Sequence, residues 1–393
     1  MSFILKEKQN INSNSIIINE DINNNNFNSI NSNNILDSQL KTSPEPNFLF
    51  KENIISYCDC ICGLNESFDV LKSIKNNKLY LIISNKNNNN IEIIDFISKK
   101  IIKAIEGNAK YIYLKYYLNP INNNEYLITA DIKSVIKVIS LTDNYNIVAY
   151  INFPKEFQNS WNFLNCAIIF NIQIGSKKLD ILLVSSRARY REEYPTKIYN
   201  LSNGQFLKDI NNTEKNKTRF IIPWYNELNE QFYIIECCED LLIVVNVLHN
   251  EIYSKLDEER FKIYSSGFVH KEDQFDYLYV SNSSSEIKVW NLINKELVKI
   301  IKISDKYNNR RLYGLLFWNE RYLLVNDDTK KAIKVIDIKK NKVVSQINNL
   351  HNASVRCLKR INHPEYGECL LTGGDDQKIK LWNIPIIIRN IFE

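Results

Sequence analysis

Three groups of residues have the types and spacing to do chemistry. Cys58-x-Cys60-x-Cys62 sets three thiols at alternate positions, and alternate positions of a strand share one face. A structural zinc site uses paired C-x₂₋₄-C halves. No second half stands out here, and only four histidines (His249, His270, His351 and His363) could help to build one. These cysteines, like the adjacent Cys237-Cys238, therefore read as small buried hydrophobes, with no metal and no cofactor expected. Asp375-Asp376 is the second group, an acid pair. No catalytic motif accompanies it: G-x-x-x-x-G-K-[ST], G-x-G-x-x-G, G-x-S-x-G and H-E-x-x-H are all absent, and nine glycines leave little for a phosphate-cradling loop. The expectation is no catalytic residue and no enzyme. The third group binds rather than reacts: Arg187, Arg189, Tyr190, Arg191 and Tyr194 lie within eight residues, and Arg and Tyr dominate the energetics of protein interfaces.

The elements that must position these residues repeat. A strand-like signature, apolar-x-apolar-bulky-polar-apolar, occurs seven times: 91–96 (IEIIDF), 136–141 (IKVISL), 196–201 (TKIYNL), 242–247 (LIVVNV), 287–292 (IKVWNL), 333–338 (IKVIDI) and 379–384 (IKLWNI). The fourth residues are Ile94, Ile139, Tyr199, Val245, Trp290, Ile336 and Trp382, spaced by 45, 60, 46, 45, 46 and 46 residues. Five of six spacings agree within one residue, so a single structural unit recurs. An apolar strand precedes each signature, and a polar turn and a further strand follow it. About four short strands per 46 residues, without helical periodicity, predict an all-β, seven-bladed β-propeller of four-stranded antiparallel blades. A blade buries both faces only between two neighbours, which explains why the strands are apolar on both sides.

The last unit, 350–384, resembles a WD repeat over its whole length, and Trp290-Asn291 and Trp382-Asn383 stand where that family has Trp-Asp. The resemblance implies that His351, Thr372, Asp376 and Trp382 form a structural hydrogen-bond tetrad, with Asp376 a turn residue instead of a catalytic acid. The other six units depart from the motif. Ile, Tyr or Val replaces Trp in five of them, and Lys133, Ser284 and Lys330 occupy matching positions of the turn Asp. Pro385 interrupts the last unit, so a strand near 48–57 is expected to complete the seventh blade, with 386–392 as the alternative. The spacing of 60 places about fifteen extra residues in the third unit, around 153–162 and 187–196. In the resembled family both loops lie on one face of the disc, which assembles Phe157, Trp161, Arg187, Arg189, Tyr190 and Arg191 as a partner-binding patch. The competing reading is a solvated loop with internal pairs to Glu192 and Glu193. Arg310-Arg311 resembles the paired arginines of phosphoinositide-binding propellers, although no Gly directly follows the pair; Lys215, Lys217 and Arg219 form another basic loop.

Composition bounds what remains. Fifty basic against 45 acidic residues give a net charge of +5 in 393 residues, too mild for a dedicated nucleic-acid binder. The 57 asparagines match a general richness in Asn, Ile, Lys and Tyr, and runs such as Asn23–Asn26 fall in a stretch without periodicity. Residues 1–46 are expected to be a disordered low-complexity tail and 47–393 the propeller. The first ten residues lack a secretory h-region, and no apolar run approaches the roughly 18 residues of a spanning helix. An intracellular, cytoplasmic protein follows, with a nuclear location left open. The expected function is a non-catalytic protein-interaction scaffold with protein partners and no nucleic acid. The alternative is a peripheral module holding anionic lipid headgroups through its basic loops.

Overall fold

The computed structural model describes residues 68–382 except 86–87, 108, 110, 120–121, 132, 134, 153–162, 175–176, 188–194, 211–217, 239–240, 258–263, 304–311, 313, 319 and 328–331. For 112, 152, 163–174, 177–179 and 185–187 it describes the backbone alone. Among the described residues all regular structure is β, in seven antiparallel sheets whose strands neighbour one another in chain order. The chain is a seven-bladed β-propeller. Its blades span 68–105, 111–152, 163–210, 220–257, 264–302, 315–347 and 355–382. Strands are lettered a to d within each blade. The first six blades have four, and blade 7 has three among the described residues. Both segments expected to complete blade 7, 48–57 and 386–392, lie outside the described residues, as does the expected tail, 1–46.

Each signature is a c strand: Ile91–Asp95, Val135–Ser140, Thr196–Asn200, Leu242–Asn246, Glu286–Asn291, Ala332–Asp337 and Ile379–Trp382. In all six blades with a d strand, the c–d register shifts immediately before the signature's fourth residue, at Ile94, Ile139, Tyr199, Val245, Trp290 and Ile336. The bulge increases local twist, and the fourth residue is buried in every blade. The signature's fifth residue then caps the hairpin. Asp95 Oδ1 accepts from the Ile97 and Ser98 N–H groups, Asn246 Oδ1 from Leu248 and His249, Asn291 Oδ1 from Ile293 and Asn294, and Asp337 Oδ1 from Lys339 and Lys340. Four residues beyond each cap the backbone is left-handed: Lys99, Asn144, Gly204, Asn250, Lys295 and Asn341 all have positive φ.

Side chains alternate between neighbouring blades. In the b strand Leu79–Ser84, Leu79, Leu81 and Ile83 pack against blade 7, whereas Tyr80 and Ile82 pack against blade 2. Seven apolar clusters, one per pair of adjacent blades, run round the ring. The cluster joining Phe68, Ile94 and Phe96 to Ile361, Cys369 and Leu381 closes it. The Lys359 ammonium bonds Asp69 across the same seam at 2.5 Å, and Asp69 also accepts from the Tyr116 N–H of blade 2. Lysines at the second signature position stitch other seams. Lys334 Nζ reaches the Ile303 carbonyl and Lys380 Nζ the Leu350 carbonyl, while Lys288 pairs with Asp257, which also accepts from the Tyr264 hydroxyl.

Candidate functional site

Antiparallel connection alternates the turns, so b–c and d–a connections share one face of the ring, and a–b and c–d turns the other. On the first face blade 3 differs from the rest. Its a and b strands, Phe163–Ile174 and Lys177–Arg187, run to 12 and 11 residues, the longest pair in the molecule's described strands. Eight residues separate Arg187 from the c strand beginning at Thr196, more than in any other blade. Ten separate Asn152, ending blade 2, from Phe163. Arg187 pairs in register with Phe163, so the roots of the two connections stand side by side. Of the six residues expected to form a partner patch, Arg187 is placed by its backbone as the last residue of its strand. Phe157, Trp161, Arg189, Tyr190 and Arg191 lie outside the described residues. Arg310-Arg311, Lys215, Lys217 and Cys58, Cys60 and Cys62 lie outside them too.

The other four residues singled out by the sequence come together in blade 7. The Trp382 indole N–H donates to Thr372 Oγ1 at 2.9 Å, and the Thr372 hydroxyl lies 2.7 Å from His351 Nε2. His351 Nδ1 lies 2.8 Å from Asp376 Oδ1. The donor inventory orients the chain of bonds: an ionised carboxylate only accepts, so Nδ1 carries the proton, and in the neutral imidazole Nε2 then accepts from the threonine hydroxyl, which itself accepts from the indole. Burial alone would raise the Asp376 carboxyl; the His351 hydrogen bond and the Asn352 and Lys378 N–H groups outweigh it and hold it below the usual range. A Cβ on Gly374 would come within 2.6 Å of His351 Nδ1 and 2.9 Å of Asp376 Oδ1, so glycine at 374 makes room for the pair.

Solved structures share this architecture. The fold is similar to that of BBS1N. A crystal structure of BBS1N in complex with ARL6DN, soaked with mercury, matches 84% of this chain and 96% of that one at TM-score 0.60 with 12% sequence identity. The corresponding lead-soaked crystal matches the same shares at TM-score 0.59 with 13% identity. No protein-family model matches the chain, and no curated protein sequence matches it.

Two of the degenerate blades reach the same turn by other means, which motif spacing alone did not reveal. Register aligns Asp131 of blade 2 and Asn282 of blade 5 with Gly374. Asp131 Oδ1 accepts from the Lys133 and Val135 N–H groups, and Asn282 Oδ1 from Ser284 and Glu286. The acceptor sits two positions upstream of the expected turn Asp, where a side chain excludes the histidine. Blade 5 keeps its tryptophan, yet Val280 stands where blade 7 has Thr372. The buried Trp290 Nε1 accordingly finds no acceptor among the described residues. Cys237 and Cys238 are fully buried and pack into clusters on opposite faces of blade 4. Among the described residues no group of three or more His, Cys, Asp or Glu could hold a metal ion, and no helix is long and apolar enough to cross a membrane.

Proposed function

We propose that this chain is an intracellular, non-catalytic protein-interaction scaffold whose contact surface is the b–c and d–a face at blade 3. The observation that carries the reading is the in-register Arg187–Phe163 pair, which roots two long connections side by side on a rigid frame. Loops held by such a frame are where binding residues concentrate, and these contain Phe157, Trp161, Arg189, Tyr190 and Arg191, the aromatic and arginine types that act as anchors. BBS1N, similar in fold, was crystallised in complex with another protein, ARL6DN, which supports a propeller in this role. The resemblance of the last unit to WD repeats agrees with it.

The test is affinity capture from native lysate read by mass spectrometry. Wild type would be compared with a Trp161→Ala, Arg187→Glu, Arg189→Glu, Arg191→Glu variant of unchanged melting temperature. A protein retained by the wild type and lost by the variant is the expected result. Truncating a true anchor singly should weaken its binding by about 1–3 kcal/mol. Identical protein sets from both would place the contact surface elsewhere.

A further inference from the structure

On the opposite face, blade 1 differs from every other blade in its charge. All three of its carboxylates are buried and engaged: Asp69 with Lys359 and the Tyr116 N–H, Glu92 with the Asn85 amide, and Asp95 with the Ile97 and Ser98 N–H groups. Six lysines, Lys72, Lys75, Lys78, Lys99, Lys100 and Lys103, are exposed. Blade 1 thus presents positive charge alone among its described residues. Four large apolar side chains stand among these lysines, Ile74 at 52% exposure, Ile97 at 53%, Ile101 at 56% and Ile102 at 48%. Ile74 lies on the a–b turn and Ile97 on the c–d turn. These turns are neighbours, because Lys78 pairs with Asp95 at 3.6 Å and the Phe96 N–H bonds the Leu79 carbonyl. The stretch 97–103, Ile-Ser-Lys-Lys-Ile-Ile-Lys, is exposed throughout.

Farther round the same face the sign reverses. The turns of blade 4 carry Glu227, Glu230 and Glu251, and those of blade 5 Glu272, Asp273 and Glu296, with Lys271 paired to Glu227. Blade 7, next to blade 1, contributes Glu365 and Glu368, the latter paired with Arg360.

From this polarised face we infer that the a–b and c–d corner of blade 1 is a contact surface for anionic lipid bilayers. Isoleucines exposed on two adjacent turn tips suit shallow insertion at the headgroup boundary, and the exposed lysines around them suit acidic headgroups. Exposed apolar side chains on turn tips fit an extended fluid surface better than an acidic polypeptide, which would need a groove. The acidic sector of blades 4 and 5 orients the ring, since the bilayer repels that edge. The surface is on the opposite side of the ring from the face proposed to bind protein, and it does not depend on that proposal.

The experiment is co-flotation of the full chain with phosphatidylcholine vesicles, with and without 30 mol% phosphatidylserine. The variants are Lys75→Glu/Lys99→Glu/Lys100→Glu, Ile74→Ser/Ile97→Ser and Arg310→Glu/Arg311→Glu, each checked for a wild-type melting temperature. Wild type should float only with anionic vesicles and should be released by high salt. Binding should fall about fivefold for each lysine lost, so the triple variant approaches the neutral-vesicle level. The isoleucine variant should bind more weakly at every salt concentration, and the arginine variant should bind as wild type does. Equal flotation with neutral vesicles, undiminished binding by the lysine variant, loss of binding only in the arginine variant, or capture of polyglutamate without any flotation would each overturn the inference.

Discussion

Two tryptophans two blades apart in chain order occupy equivalent places with unequal chemistry. Trp382 donates to Thr372 within a satisfied network, whereas Trp290 has Val280 in the threonine's place and its N–H finds no acceptor among the described residues. A buried donor that gains nothing can be removed cheaply, and one that completes a network cannot. Trp382→Phe should therefore cost about 1–3 kcal/mol in urea unfolding, and Trp290→Phe about 1 kcal/mol or less. Equal costs would mean that indole size, not hydrogen bonding, decides both sites. Gly374→Ala tests the same network from its other side: the added methyl meets His351 at 2.6 Å, and overpacking of this kind costs about 1–3 kcal/mol. The residues of the tetrad were legible because one unit keeps them all in order. The upstream acceptors Asp131 and Asn282 were not, because a hydrogen bond can be made from two neighbouring positions and spacing does not say which is used.

Strands were the most legible level of the molecule. The seven signatures mark the seven c strands because this strand is buried on both faces, so substitutions at Ile94, Ile139 or Val245 stay apolar even where the tryptophan is lost. The long connections of blade 3 were legible only as a departure from the repeat: extra residues betray a long connection, but loop side chains obey no periodicity that would position them. Within each unit the c–d hairpin is specified by its cap. Asn291→Ala removes an oxygen that satisfies two N–H groups and should cost about 1 kcal/mol. Lys99, exposed and at φ 58°, holds a conformation that L side chains resist. Lys99→Gly should add about 0.5–1 kcal/mol of stability. A lower denaturation midpoint for that variant would show that lost contacts outweigh the relieved backbone.

For the ring as a whole, high pH is the revealing condition. Burial pushes the Tyr199 and Tyr279 phenols up to about 12, and Tyr116 and Tyr117 higher still, with Glu125 and Asp180 as hydrogen-bonded neighbours. Unfolded tyrosines ionise near 10. Their contribution to stability is thus complete below pH 10 and is lost as pH rises from 10 towards 12, where the unfolded chain has released protons that the folded one keeps. Burial lowers Lys208, Lys299 and Lys380, which softens this fall without reversing its sign at the tyrosines. Absorbance at 295 nm should show a delayed phenolate fraction that appears together with loss of β-sheet ellipticity. Complete ionisation near pH 10 with the fold intact would refute the assignment.

The closing seam has a history as well as a geometry. Its ion pair joins Asp69 to Lys359, 290 residues along the chain, whereas the other seams join consecutive blades. At about 5–20 residues per second, a ribosome needs roughly 15–60 s to deliver the seventh blade after the first. Through that interval Leu79, Leu81 and Ile83 lack the blade 7 side chains that cover them in the finished ring, and every nascent chain carries an unfinished apolar face. Blade 1 is therefore where a holdase would be expected to engage, and where slow codons late in the message would do most harm.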